Sequence, residues 1–99
     1  MKTDRELLEL AAKAAGYREA GINKPYTDGL LENWNPLESD GDALRLAVRL
    51  SLLVDVTAFS VTAVVNGVIS AKEKHDGDPY AATRRAITRA AAAIGESMP

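Results

Sequence analysis

One short segment of the chain brings residue types together that could carry out chemistry. The single histidine lies beside two carboxylates in His75-Asp76-Gly77-Asp78. Imidazole and carboxylate side chains are metal ligands and general acids or bases, so a metal-dependent hydrolase centred on His75, Asp76 and Asp78 is one hypothesis. The structural alternative is stronger, because Asp78-Pro79 is typical of a helix N-cap followed by proline at the first helical position. We therefore expect no catalytic residue, no metal and no cofactor.

Arginines form the second group with chemical potential. They fall on the solvent sides of two predicted helices, and a cluster of this kind can bind phosphates or an acidic protein surface. The alternative is a solvated stripe in which arginines pair with nearby carboxylates. The net charge of −2 and the five aromatic residues (one Trp, three Tyr and one Phe) disfavour nucleic acid as a partner. The residues concerned are Arg45, Arg49, Arg84, Arg85 and Arg89.

Composition excludes several other classes of protein. With 99 residues, 46% apolar and 26% charged, the chain fits one globular domain over residues 1–99. The absence of cysteine rules out disulfides, thiolate metal sites and cysteine nucleophiles. No apolar run approaches the length of a membrane span, and Met1-Lys2-Thr3-Asp4 does not resemble a secretion signal. We expect a soluble, cytoplasmic protein that does not contact membranes.

Helical signals occur in three places. Thr3-Asp4-Arg5-Glu6 is a capping box, and it predicts a helix over 4–15 that stops at Gly16. Asp40-Gly41-Asp42 begins a second predicted helix that runs to about Leu52. The apolar arc of this helix is so wide that more than one side must be covered, by the chain itself or by a partner. A third helix is predicted from Asp78-Pro79 to a stop at Gly95, with Tyr80 and Ile87 on its packing face.

Strand signals lie between these helices. Asn66-Gly67 between β-branched runs predicts a two-residue hairpin that pairs Val65 with Val68 and Val64 with Ile69. Further strands are predicted at 54–58, 17–20 and 29–34. The expected fold is α+β, a compact sandwich in the order α-β-β-α-β-β-α. Its antiparallel sheet of four or five short strands carries three helices, which cover both faces.

Three blocks of sequence resemble one family of small phage and prophage proteins, the phage ABA sandwich family. They are the stretch from Leu7 to Tyr17, Asn33-Trp34-Asn35-Pro36-Leu37 with the following 40–48, and the stretch from His75 to Ile87. More distantly, the chain resembles NinX-type accessory proteins of lambdoid phages. The resemblance implies the sandwich fold and a phage or prophage origin, and it carries over no functional residue.

These observations favour an accessory protein that acts by contact with a host or phage protein. A homodimer is the second possibility for its partner, and nucleic-acid binding through the five arginines is the alternative function. We expect the contact surface to combine the loop residue Trp34 with the hairpin tip at Val65 and Val68, because aromatic and aliphatic anchors with a polar rim are typical of interfaces.

Overall fold

The computed structural model describes residues 2–17, 34–65 and 67–98, with the backbone alone for 68–70. Over these residues the elements follow the order α-α-β-β-β-α. They are α1 (Asp4–Ala15), α2 (Asp40–Arg49), β1 (Leu53–Val56), β2 (Ser60–Val65), β3 (Val68–Lys74) and α3 (Pro79–Ser97). The α+β class and the three helices are confirmed.

Helix α1 forms as its caps predict. The Glu6 amide donates to the Thr3 hydroxyl and the Thr3 amide donates to the Glu6 carboxylate, each at 3.1 Å. At the other end Gly16 adopts a left-handed conformation with φ +78°, which a residue without Cβ adopts at no steric cost. The predicted bounds of this helix are confirmed.

Helix α2 is shorter than predicted. It ends at Arg49 instead of near Leu52, because Ser51 turns the chain with φ +56°. The amides of Ser51 and Leu52 then donate back to the carbonyls of Val48 and Ala47, at 3.2 and 2.9 Å. These two bonds close the helix in the usual glycine-type cap, with serine in the glycine position.

The sheet has three antiparallel strands in the order β1-β2-β3 over the described residues. The hairpin is confirmed, with Val65 opposite Val68 and Val64 opposite Ile69. The prediction of four or five strands and of the order α-β-β-α-β-β-α is wrong for this part of the chain. The strands predicted at 17–20 and 29–34 lie outside the described residues, except for Tyr17 and Trp34, and neither of these two is in a strand.

Helix α3 lies at the centre of the fold. On one side Ala82, Ala86 and Ala90 pack against the inner face of the sheet, which consists of Val61, Ala63 and Ala71. On the other side Ile87 and Ala91 pack with buried residues of α1 and α2. The three described helices thus lie on one side of the sheet, and the expectation of helical cover on both faces is wrong for them. The outer face carries the polar Thr62, Lys72 and Lys74, together with the apolar Leu53 and Val64.

The sequence predicted that α3 ends at Gly95, and this prediction is wrong. The helix continues to Ser97, and Gly95 is buried where α3 crosses α1. A Cβ at this position would collide with the carbonyl oxygen of Leu10 and would lie 2.8 Å from its carbonyl carbon. Glycine is therefore required here for the close approach of two helix backbones.

Candidate interaction surface

An apolar groove separates helix α2 from the edge strand β1. Its floor is helix α3, and its volume is about 560 Å³. Leu44, Val56 and Tyr80 line it while remaining 64%, 52% and 69% exposed. We call it the α2–β1 groove; its other lining residues are Asp40, Ala43, Ala47, Val54, Pro79, Thr83, Arg84 and Ile87.

The exposed side of α2 continues this apolar surface. Leu44 and Val48 are one helical turn apart and both point to solvent, whereas Leu46 and Ala47 are buried in the core. The predicted wide apolar arc is therefore real, and the described residues cover only one side of it. Tyr80 was expected on the packing face of its helix, but it lies in the first turn, at the rim of the groove.

A second apolar surface lies at the hairpin end of the sheet. Leu53 pairs with Val64 in the neighbouring strand, and Val64 pairs in turn with Ile69 in the register of β3. Leu53 is 64% exposed, and Val64 and Val65 are partly exposed. We call Leu53 and Val64, which share the outer face of the sheet, the hairpin-end surface. The predicted contact residue Val65 lies on the opposite, inner side, with Val61 and Ala63, and does not belong to this surface. The side chain of Val68, predicted to belong to it, lies outside the described residues.

Trp34 does not belong to this surface, so that part of the predicted patch is wrong. Its side chain is 7% exposed and lies in the core cluster of α1, α2 and α3. The Tyr17 ring meets it edge-to-face at 5.5 Å between centroids. A large indole next to the alanines of α1 fills space that those small side chains leave, and this explains its burial.

The three arginines of α3 are held by acceptors of the chain itself. Arg84 donates to the Leu37 carbonyl at 3.0 Å and to Asp40 at 2.6 Å. Arg85 pairs with Asp4 at 3.1 Å, and Arg89 pairs with Glu73 and also donates to the Lys72 carbonyl. These contacts tie α3 to the start of α1, to α2 and to β3.

The arginines of α2 are also engaged. Arg45 pairs with Asp42 at 2.7 Å. Arg49 donates to the Ala15 carbonyl at the end of α1, and its guanidinium lies over the Tyr17 ring at 5.3 Å from the centroid. The five arginines therefore do not form one patch of uncompensated positive charge.

A second cavity, of about 520 Å³, lies between α1, α3 and β3. Its basic groups face acidic ones, because Lys2 pairs with Glu96 at 2.6 Å and Arg89 pairs with Glu73. The third cation on its walls, Arg85, pairs with Asp4, so each cation that lines the cavity already has a carboxylate partner.

The segment His75-Asp76-Gly77-Asp78 forms the tight turn between β3 and α3. Asp76 and Gly77 have φ +47° and +85°, and the Asp78 amide donates to the His75 carbonyl at 3.0 Å. The Asp78 carboxylate accepts from the Ala81 amide at 3.0 Å, as the predicted N-cap. Nε2 of His75 is buried and makes no hydrogen bond with the described residues. Among these residues, no three His, Asp or Glu side chains are close enough to hold a metal ion.

Sequence reasoning missed the exposure of Leu53, Phe59 and Tyr80. Phe59 is 83% exposed in the two-residue turn between β1 and β2. The signal that could have identified it is the short sequence Thr57-Ala58-Phe59-Ser60, in which the Thr57 hydroxyl accepts from the Phe59 and Ser60 amides. A residue at the tip of such a turn projects from the sheet.

Comparisons with known proteins gave no match. No protein-family model, no curated protein and no solved structure matches the chain. Of the helices in the described ranges, none combines the length and the apolar character that crossing a membrane requires.

Proposed function

We propose that this protein acts by contact with a host or phage protein, as a phage or prophage accessory protein of the bacterial cytoplasm, and not by catalysis. The proposed contact is at the hairpin-end surface. A homodimer is compatible with this function, because contact with another protein at one surface leaves the others available to a second copy.

The polar side chains of the described residues support this proposal, because several of them already have structural roles. Asp78 caps α3, and Arg84, Arg85 and Arg89 join α3 to its neighbours. Side chains that hold the fold together are poor candidates for transferring protons or binding phosphate, because they would have to leave their partners first.

One observation carries the proposal. Leu53 lies 64% exposed beside Val64, on a sheet face over which none of the described helices packs. Aliphatic anchors in such a row, with the exposed Lys72 and Lys74 elsewhere on the same face, match the apolar centre and polar rim of protein interfaces.

The test is affinity capture from a lysate of phage-infected bacteria, with Leu53→Ser compared with Phe59→Ser. Both substitutions remove a large exposed apolar side chain, Leu53 at the start of β1 and Phe59 in the turn that follows this strand. We expect wild-type protein and Phe59→Ser to capture the same protein, and Leu53→Ser to capture at least tenfold less, with unchanged melting temperature.

Two results would contradict the proposal. Equal capture by Leu53→Ser and wild type would remove the hairpin-end surface as the contact site. Capture of nucleic acid instead of protein, abolished by high salt, would favour the alternative function.

A further inference from the structure

Strand β1 lies at the edge of the sheet, and its hydrogen-bonding pattern shows which backbone groups point outward there. The Thr57 amide donates to the Ser60 carbonyl at 2.9 Å, and hydrogen-bonded positions alternate along an antiparallel ladder. Asp55 therefore bonds to β2, whereas the amides and carbonyls of Val54 and Val56 point away from it. The described residues place no strand beyond them, so this edge can accept one by backbone hydrogen bonding.

The opposite edge of the described sheet is partly covered. By the same alternation, the amide and carbonyl of Lys72 point outward from β3. The Arg89 side chain of α3 reaches this edge, where it donates to the Lys72 carbonyl at 3.1 Å and pairs with Glu73. Side chains that cover an edge in this way disfavour the addition of a strand. Of these two edges, β1 is therefore the one open to pairing.

We propose that β1 binds an extended segment of a foreign protein in which one basic residue lies between two apolar residues. The segment pairs with β1 as an added strand. Its apolar side chains enter the α2–β1 groove, and its basic side chain lies on the outer face of the sheet. This inference goes beyond the proposed function, because it assigns a second contact surface and the chemistry of the segment that binds there.

The groove determines the apolar positions of the segment. Val54 and Val56 line it, so the helix side of β1 faces the groove. The side chains of an added strand alternate between the same two faces as those of β1. Those on the helix side enter the space of about 560 Å³ between β1 and α2, beside Leu44 and Tyr80, which are 64% and 69% exposed. Removing this apolar surface from water favours apolar residues at these positions.

Asp55 determines the charge of the residue between them. It alternates with the two valines of β1, so it lies on the outer face, where it is exposed. The ion pairs formed among the described residues do not include Asp55. A lysine or arginine directly opposite it forms a favourable cross-strand pair, whereas a carboxylate there is destabilising.

The same carboxylate favours a foreign segment over a second copy of the chain. Strand β1 has the sequence Leu-Val-Asp-Val, which contains no basic residue. If two β1 strands paired with their valines toward the groove, the residue opposite Asp55 would be another Asp55, Leu53 or Thr57, and none of these neutralises it. A charge on an edge strand is a common device against self-pairing, and a basic partner turns it into a source of specificity.

Selection of random heptapeptides on the purified chain by mRNA display tests the proposal. We expect the enriched sequences to share a lysine or arginine between two apolar residues. Val56→Pro removes an outward amide that β2 does not use, so the fold survives while strand addition is lost. In isothermal titration calorimetry, the best synthetic peptide should bind this variant at least tenfold more weakly than the wild type.

Asp55→Lys tests the charge while leaving the backbone groups in place. The same peptide should bind this variant at least tenfold more weakly, and a new selection on it should enrich aspartate or glutamate at the central position. Glu9→Lys is the matched control, because it changes the net charge equally on α1, which does not line the groove, and it should bind like the wild type. Circular dichroism of each variant excludes unfolding as the cause.

Several outcomes would overturn the proposal. They are the absence of any enriched peptide, enriched peptides without a central basic residue, and an affinity that survives Val56→Pro or Asp55→Lys. A wild type that doubles its mass in light scattering, and Val56→Pro that does not, would assign the edge to a second copy. Failure here is distinct from failure of the proposed function, because peptide selection uses the purified chain and affinity capture with Leu53→Ser uses a lysate.

Discussion

At the residue scale, replacement of Gly95 is expected to destabilise the fold, because there is no space for a side chain at this position. An added methyl group would meet the Leu10 backbone, which cannot move without separating α1 from α3. We expect Gly95→Ala to lower the free energy of unfolding by about 1–3 kcal/mol, as overpacking does. Urea denaturation followed by circular dichroism measures this change.

Gly41→Ala is the matched control, since Gly41 is also helical but exposed. A Cβ there would approach only the flexible Arg45 side chain, at 3.4 Å. Alanine should therefore stabilise α2 by roughly 0.5–1 kcal/mol, through its higher helix propensity. If both substitutions had the same sign, the close approach of α1 and α3 would not be what selects glycine at position 95.

Glu6 makes the capping box of α1 sensitive to pH. The hydrogen bonds from the Thr3 backbone amide and from the Thr3 side chain lower the pKa of the Glu6 carboxyl below 4.5. Because the folded pKa is depressed, the stabilisation is present above about pH 4.5 and is lost as the pH falls through the folded value. We expect the difference in melting temperature between wild type and Glu6→Gln to be constant near neutrality and to shrink below pH 4.5.

An NMR titration of Glu6 gives the direct measurement. Thr3→Ala removes the hydroxyl partner, so the pKa of Glu6 should rise toward 4.5 in that variant. Because the backbone amide of residue 3 remains and is the larger cause, we expect only part of the shift to be lost, and a pKa of 4.5 or more in the wild type would contradict hydrogen bonding by Thr3 as the cause.

Among the elements, the packing of α3 against the start of α2 depends on Arg84. Its side chain is only 18% exposed and binds both the Leu37 carbonyl and Asp40. Arg84→Met keeps the apolar stem but leaves that carbonyl without its donor, so we expect a loss of about 1–3 kcal/mol in unfolding free energy. Arg5→Met is the control, because Arg5 is 68% and its partner Glu9 41% exposed, so their pair should contribute at most about 1 kcal/mol. Equal losses in urea denaturation would show that Arg84 is only a surface charge.

Local signals predicted some of these elements well. The capping box of α1 and the hairpin at Asn66-Gly67 follow from contacts within a few residues, and both predictions are confirmed. The end of α2 before Ser51 was not predicted, because the sequence does not distinguish a serine that adopts a positive φ from any other serine. The role of Gly95 depends on Leu10, which is far away in the chain, and glycine near a helix end resembles a cap. The interaction surface was predicted least well, since the burial of Trp34 depends on the packing of three separate helices.

At the scale of the whole molecule, the arrangement of charge disfavours the alternative function, nucleic-acid binding. Four of the five arginines pair with a carboxylate, and Arg49 binds a carbonyl and an aromatic ring. A phosphate would have to displace these partners, in a chain whose net charge is already −2. We therefore expect fluorescence anisotropy to show no binding to a labelled DNA or RNA duplex, even at about 50 mM salt, where electrostatic binding is strong.

A variant that frees the arginines of α3 turns this expectation into a positive test. Asp4→Asn, Asp40→Asn and Glu73→Gln together remove the carboxylates that hold Arg84, Arg85 and Arg89, while the guanidinium groups remain. We expect this triple variant to gain weak duplex binding that falls as salt rises, because released counterions drive such binding. Salt-dependent binding by the wild type itself, lost on replacing the same three arginines, would instead establish them as a nucleic-acid site and contradict the proposed contact with a protein.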